Sequence, residues 1–167
     1  MAQTGIGLNQ GVGLTRATSG DTELLTESAT RTFTGKGRRE GGHWPRAHHS
    51  PAWHRHMIAN GYFYKITLDS EVVGGLIMVR LACDHFHLVR VWVDPAHQGR
   101  GVGARALALL EASRRQVTLW TVGVPAWARR CRRFFEANGY RAAGEAEGTV
   151  RYERHRPGVL RHPPSLP

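Results

Sequence analysis

The residues with the clearest chemical consequence are Gln98, Gly99, Arg100, Gly101, Val102 and Gly103. Three glycines stand at alternate positions, directly before a helix-forming segment that starts near Val102. Glycine lets a backbone approach a ligand with no Cβ in the way. The first turn of a helix leaves N–H groups unpaired, and the helix dipole adds positive potential there. Such a loop suits a phosphorylated anion, and a pyrophosphate in particular. Two other phosphate loops do not fit. A P-loop has Lys and then Ser or Thr after its last glycine, where this chain has Ala104 and Arg105. A dinucleotide loop needs an acid about twenty residues on, and the region around residues 119–122 carries none.

The neighbouring segments must position this loop. Residues 87–93 read as a strand stopped by Asp94-Pro95. Residues 62–68 alternate apolar and polar side chains, and residues 72–80 are nearly all apolar. With turns at Asp69-Ser70 and Asp84-His85, these three strands form an antiparallel meander. Downstream, a helix over 102–114 places Val102, Ala106, Leu109 and Leu110 on one face. Residues 117–122 are a further apolar strand. A helix opened by Pro125 runs to Asn138, with Trp127, Cys131, Phe134 and Phe135 at helical spacing and Arg129, Arg130, Arg132 and Arg133 mostly opposite. Residues 140–143 and 149–154 predict a last hairpin across 144–148. Near the start, 12–17 is a short strand, Ser19 or Asp21 caps a helix through Ala29, and 35–51 is a loop rich in Gly, Arg and His. A short helix follows over 51–60. A meander followed by alternating helices and strands predicts an α/β fold with a mixed, mostly antiparallel sheet and helices on both faces. The expected domain spans 12–155, between a flexible tail over 1–11 and a disordered proline-rich tail over 156–167.

A length of 167 residues suits one domain. The net charge of +10 is nearly all arginine, because the only lysines are Lys36 and Lys65. Either compositional bias or attraction to polyanions explains it. Two cysteines far apart make no disulfide framework. The start has no signal-peptide pattern and no apolar run is long enough to span a bilayer, so a cytoplasmic protein is expected. His43, His48, His49, His54 and His56 straddle a proline-broken loop without the paired spacing of a zinc site, so no metal is expected.

The stretch 98–103 resembles the Q/R-x-x-G-x-G/A signature of the GCN5-related N-acetyltransferase (GNAT) superfamily. A second stretch, Arg133-Phe134-Phe135-Glu136-Ala137-Asn138-Gly139-Tyr140, is similar to its R-F-Y-E-x-x-G-F/Y element. Tyr62-Phe63-Tyr64-Lys65-Ile66, Val73-Gly74-Gly75 and the stretch from Trp120-Thr121 to Pro125-Ala126-Trp127 resemble a bacterial subgroup of unassigned acceptor. The resemblance covers roughly 12–154. It implies a GNAT-like fold and an N-acetyltransferase that moves acetyl from acetyl-CoA to a primary amine of a small molecule or peptide by direct attack, with no metal. It also implies that backbone N–H groups of Gln98, Gly99, Arg100, Gly101, Val102, Gly103 and Ala104 hold the pyrophosphate. The main chain of Val91, Trp92 and Val93 would pair with the pantetheine arm, Val93 N–H would face the oxyanion, and Phe134 and Phe135 would belong to the CoA site. Arg100 or Arg105 either adds charge at the phosphates or lies on a solvated helix face.

An alkylamine of pKa about 10.4 is mostly protonated at pH 7, so attack on a thioester needs a base. His87 is the candidate on the strand before the loop; otherwise it is an ordinary strand histidine. His85, Glu23, Glu27 and His54 are weaker candidates. Phe135 stands where the family's tyrosine acid would be and cannot donate a proton. Cys131, one turn earlier, is either a substitute donor or a packed core residue. Trp53, His54 and Met57 form either the acceptor-side wall or the core contact of a short helix. The alternative function is a non-catalytic acyl-CoA-binding protein of the same fold. A nucleic-acid-associated protein ranks third, since no DNA-reading motif accompanies the charge. A homodimer is a further expectation.

Overall fold

The computed structural model describes residues 5–9, 11–40, 42, 44 and 49–156, and only the backbone of 5–9 and 35–40. The tail beyond 156, residues 1–4 and 10, Pro45, His43 and His48 lie outside the described residues. In chain order the elements are β1 (Gly5–Asn9), β2 (Val12–Arg16), α1 (Thr22–Glu40), α2 (Pro51–Asn60), β3 (Tyr62–Leu68), β4 (Glu71–Ala82), β5 (His85–Val93), α3 (Val102–Ser113), β6 (Leu119–Pro125), α4 (Arg129–Ala137), β7 (Arg141–Ala146) and β8 (Thr149–His155). The strands form one sheet in the order β1-β2-β3-β4-β5-β6-β8-β7, antiparallel except for the parallel β5–β6 pair.

Local chemistry accounts for the meander. Leu68 pairs with Glu71 across Asp69 and Ser70, whose φ values of 49° and 73° make the tight turn that matches strand twist. Gly74 and Gly75 in β4 are required by packing. A Cβ on Gly74 would lie 2.2 Å from the Trp92 carbonyl oxygen, and one on Gly75 would lie 2.3 Å from the Trp92 ring. Their absence lets Trp92 of β5 settle across β4.

The β5–β6 pair decides where a ligand can enter. It registers only from His85 opposite Leu119 to Leu88 opposite Val122. The β4–β5 ladder shifts between Met78–Leu88 and Ile77–Arg90, leaving Val89 as an extra residue. Such a bulge bends a strand, and beyond it Val89–Val93 run without β6 beside them. The sheet therefore opens as a V at its centre.

Two apolar layers flank it. Leu25, Ala29 and Phe33 of α1 pack with Phe63, Ile77 and Trp92, with Trp53 and Met57 of α2 against them. On the other face Val102, Ala106, Leu107 and Leu110 of α3 and Phe135 of α4 pack with Leu76, Met78, Phe86 and Leu88. Among the described residues no helix is long and apolar enough to cross a membrane.

Five boundaries differ from the expectations. Residues 5–9, read as part of a flexible tail, form edge strand β1 against β2; backbone pairing to an open edge needs no side-chain pattern. Helix α1 continues past Gly35 to Glu40, since a helical glycine costs only about 1 kcal/mol and the preceding turns are anchored by Ala29 and Phe33. Pro125 ends β6 instead of opening a helix: it pairs with Thr149, and Ala126 N–H donates to the Gly148 carbonyl at 2.8 Å. Helix α4 begins at Arg129. The last hairpin is also tighter, with Ala146 pairing to Thr149 around Glu147-Gly148.

Candidate functional site

The V opens onto a cavity of about 260 Å³ lined by the ends of β5, the start of α3 and one side of α4. Of the residues singled out from sequence, Val91, Trp92, Val93, Gln98, Gly99, Gly101, Val102, Gly103, Ala104, Cys131 and Phe134 line it. Gly99 and Gly101 have φ values of 75° and 73°, in the region that favours glycine. Nothing lies within 4 Å of a Cβ built on Gly99, so the loop leaves open space where a ligand would rest. In α3, the N–H of Arg105 is the one that meets the Gly101 carbonyl, at 3.1 Å. The amides of Val102, Gly103 and Ala104 precede it and have no carbonyl of their own helix to meet. Gly103 also lets α4 come close: a Cβ there would lie 3.2 Å from Phe134 Cε2.

Several expected contributors have other positions. Gln98 N–H donates to the Pro95 carbonyl at 3.4 Å, and its side-chain amide donates to the Val93 carbonyl at 2.7 Å. Gln98 thus pins the loop to the strand end. Arg100 and Arg105 are not in the cavity wall; the Arg105 guanidinium donates to the Arg100 carbonyl at 2.8 Å and ties the loop to α3. Phe135 lies outside the wall, 3% exposed, with its ring 5.3 Å from that of Tyr140. It is one position on from Phe134, so the helix turns it into the core. Trp44, His97 and Arg130 line the cavity and were not anticipated. Trp44 lies in a stretch without periodicity and is held by ring contacts to Phe33 and Trp127, at 5.0 and 5.2 Å.

On the other side of the V, α1, α2 and β5 assemble a second group of polar side chains. His54 is fully buried on α2, which starts with Ser50 accepting from Trp53 N–H and with Pro51 in its first turn. Thr26 donates its hydroxyl proton to the Thr22 carbonyl at 2.7 Å. It therefore accepts from His54 Nδ1–H, at 2.9 Å, and that proton is shared with the Ser50 carbonyl at 3.2 Å. Nδ1 carries the hydrogen, and Nε2 is a buried lone pair without a partner. Burial, together with the Arg90 charge, holds His54 below the usual histidine range despite the bond to Ser50.

His87 faces the same side. Thr121 of β6, directly opposite it in the parallel register, places Oγ1 3.0 Å from His87 Nδ1 and 2.9 Å from His85 Nε2. One hydroxyl joins the two rings, donating to one and accepting from the other. Burial first, then the neighbouring His85 and Arg90, push His87 below the ordinary value. Trp92 anchors the group through its indole N–H, 3.1 Å from Ser28 Oγ. Met57 and Trp53 pack against this layer. Glu23 and Glu27 are exposed on α1.

Comparison with known proteins agrees with this architecture. The family described as acetyltransferase (GNAT) domain matches residues 59–142, half of the chain. No curated protein matches the chain significantly in sequence. Among solved structures, the PaiA N-acetyltransferase of Thermoplasma acidophilum in complex with coenzyme A superposes with a TM-score of 0.78 at 16% identity, covering 87% of this chain and 99% of that one. An acetyltransferase from Thermus thermophilus gives 0.73 at 21% identity, covering 87% and 97%. The RimL ribosomal L7/L12 α-N-protein acetyltransferase with coenzyme A gives 0.71 at 17% identity, covering 90% and 97%. With the family match running from the end of α2 into β7, through the split strands and the glycine loop, the chain belongs to the GNAT acetyltransferases.

Proposed function

We propose that the protein is an N-acetyltransferase that moves the acetyl group of acetyl-CoA to a primary amine by direct attack in a ternary complex. The observation that carries this reading is the gap beside Val89–Val93, continuous with the open amides at the start of α3. The residues fit the donor. The amides of Val102, Gly103 and Ala104, with the space above Gly99, suit a pyrophosphate. The strand edge at Val91 and Val93 suits the amides of a pantetheine arm, and Phe134 and Cys131 supply one wall.

The acceptor arrives from the α1–α2 side. Its nitrogen lone pair attacks the thioester carbonyl carbon, the C–N bond forms, and charge collects on the carbonyl oxygen. A backbone N–H of β5, that of Val93 in our reading, stabilises it. Collapse breaks the C–S bond and releases the CoA thiolate. His87 takes the proton from the amine, directly or through water. Its neutral form is favoured by burial, so it is unprotonated at neutral pH. In the tautomer in which His87 Nδ1–H donates to Thr121 and Thr121 donates to His85 Nε2, His87 Nε2 is the accepting lone pair. The thiolate takes its proton from water or from Cys131, which shares the cavity wall with Val91.

Phe135 favours a second reading, a CoA-binding protein without turnover, because the family's tyrosine hydroxyl is missing. Calorimetry with acetyl-CoA and CoA, followed by thiol release across a panel of amines, separates the two. Heat of binding with thiol release supports transfer. Binding without release for any amine supports the second reading, and no heat at all removes both.

A further inference from the structure

We propose that the acceptor amine carries a carboxylate and that Arg90 holds it. The proposal rests on the acetyl-transfer reading above and names the substrate class for that site. Arg90 lies on β5 just past the bulge, where β6 has parted from the strand. It is absent from the wall of the donor cavity. Its guanidinium carbon sits 5.9 Å from the Trp53 ring centroid of α2, so the side chain lies on the acceptor face. Nη1 donates to the Val89 carbonyl of its own strand at 2.7 Å. That bond fixes one edge of the group. Neither Nε nor Nη2 has a hydrogen-bond partner among the described residues; Nε is shielded from solvent, so Nη2 is the donor that a ligand can reach.

The charges around Arg90 make this costly. His54 of α2 and His87 of β5 lie within its electrostatic reach and are themselves cationic when protonated. From α4 the group within reach is Cys131, a thiol and no carboxylate. The lysine and arginine ion pairs among the described residues are Arg31–Asp94, Lys65–Asp21, Arg151–Glu153 and Arg154–Glu111. None includes Arg90. A half-buried guanidinium without an anion is destabilising, whereas a carboxylate on Nη2 gives it a charge-assisted partner. The phosphates of CoA do not supply that anion, because their proposed loop follows Val91–Val93 in the wall of a cavity that Arg90 does not line. The remaining source is the acceptor. Trp53 beside Arg90 offers an apolar wall for the body of such an amine. Free amino acids and peptides with an acidic first residue both satisfy this chemistry.

The test uses the full chain loaded with CoA and matched ligands. Phenylalanine against phenylalaninamide probes a free amino acid; an aspartyl peptide amide against its asparaginyl counterpart probes an acidic peptide. Calorimetry gives Kd for each, and thiol release with acetyl-CoA gives kcat and KM. In the wild-type protein the carboxylate member of one pair binds at least about tenfold tighter than its amide, as expected for a charge-assisted pair. Arg90→Gln removes that preference through KM, leaving the amide and CoA affinities unchanged, and Arg90→Lys restores part of it. Equal affinities within both pairs overturn the proposal, whether or not the variants fold. An equal loss of kcat for both members on Arg90→Gln that persists at about pH 9, where His87 is neutral with or without the Arg90 charge, also overturns it, by assigning Arg90 to the reacting carbonyl. CoA binding and amine turnover without a carboxylate preference sink this inference alone; absent CoA binding sinks the acetyl-transfer reading on which it rests.

Discussion

On the proposed donor side of the V, the cavity is framed mostly by main chain: amides at the start of α3, two glycines with positive φ, and the free edge of β5. On the proposed acceptor side the polar and aromatic groups are side chains from separate elements: Trp53 of α2, His87 and Arg90 of β5, and Thr121 of β6. A main-chain site recognises what every donor of its class shares. A side-chain site can change with each substrate while the fold stays the same. The donor side should therefore be sensitive to backbone strain, and the acceptor side to proton and charge.

The largest expected effect is at His87. Gln at this position keeps a hydrogen bond to Thr121 but cannot take a proton, so His87→Gln should lower kcat by about 10²-fold or more. Acetyl-CoA affinity should stay the same. In the wild type, kcat/KM should rise with pH through a midpoint below the ordinary histidine value, because burial, His85 and Arg90 all disfavour the cation. That limb should vanish in the variant. An unchanged rate and profile would move the base elsewhere.

Next comes Gly101→Val. The space around its Cβ is adequate, with Arg105 Nη2 at 3.6 Å, so crowding is not the cost. The cost is the left-handed backbone, about 1–2 kcal/mol for an L-residue and more for a β-branched one. The loop should relax out of register and Kd for acetyl-CoA should rise about tenfold. Gly144→Ala, with no positive φ and open space, is the control and should change nothing. Equal effects of the two would undo the backbone account.

A smaller effect is expected at Tyr140, which does not line the cavity. Tyr140 donates its hydroxyl to Glu111 at 2.9 Å, and burial raises the pKa of that carboxyl. Tyr140→Phe should cost about 1 kcal/mol in denaturant unfolding and leave the Kd for acetyl-CoA unchanged.

The same contrast explains what could be read from sequence. The glycine loop, the strand before it and the helix after it are local features, with glycine spacing and apolar periodicity to mark them. The strand meander was legible for the same reason. Trp44 and Thr121 were not, because tertiary packing places them; Phe135 was legible as part of an apolar helix face, but not that Phe134 alone of the two lines the cavity. Arg90 did leave a signal, a lone charge inside the apolar run 88–93. A bulge that turns such a residue to the other face has no local marker.

The finest discrimination between the two sides is in acid stability. His54 is buried with Nδ1–H bound to Thr26 and Ser50, and Nε2 has no partner to receive a proton. Burial and Arg90 lower its pKa in the folded chain. In the unfolded chain it titrates near 6.5. Between those two values the unfolded state binds more protons, so unfolding free energy rises with pH there. The contribution is fully present above about pH 6.5 and is lost as pH falls toward the folded value. His87 adds to the trend with the same sign, and the charges facing it are His85 and Arg90. Asn at position 54 can keep the donated hydrogen bond and cannot ionise. His54→Asn should therefore flatten the fall in Tm between about pH 6.5 and 5, with little change at pH 8. A slope as steep as in the wild type would mean that His54 is not held neutral in the folded chain.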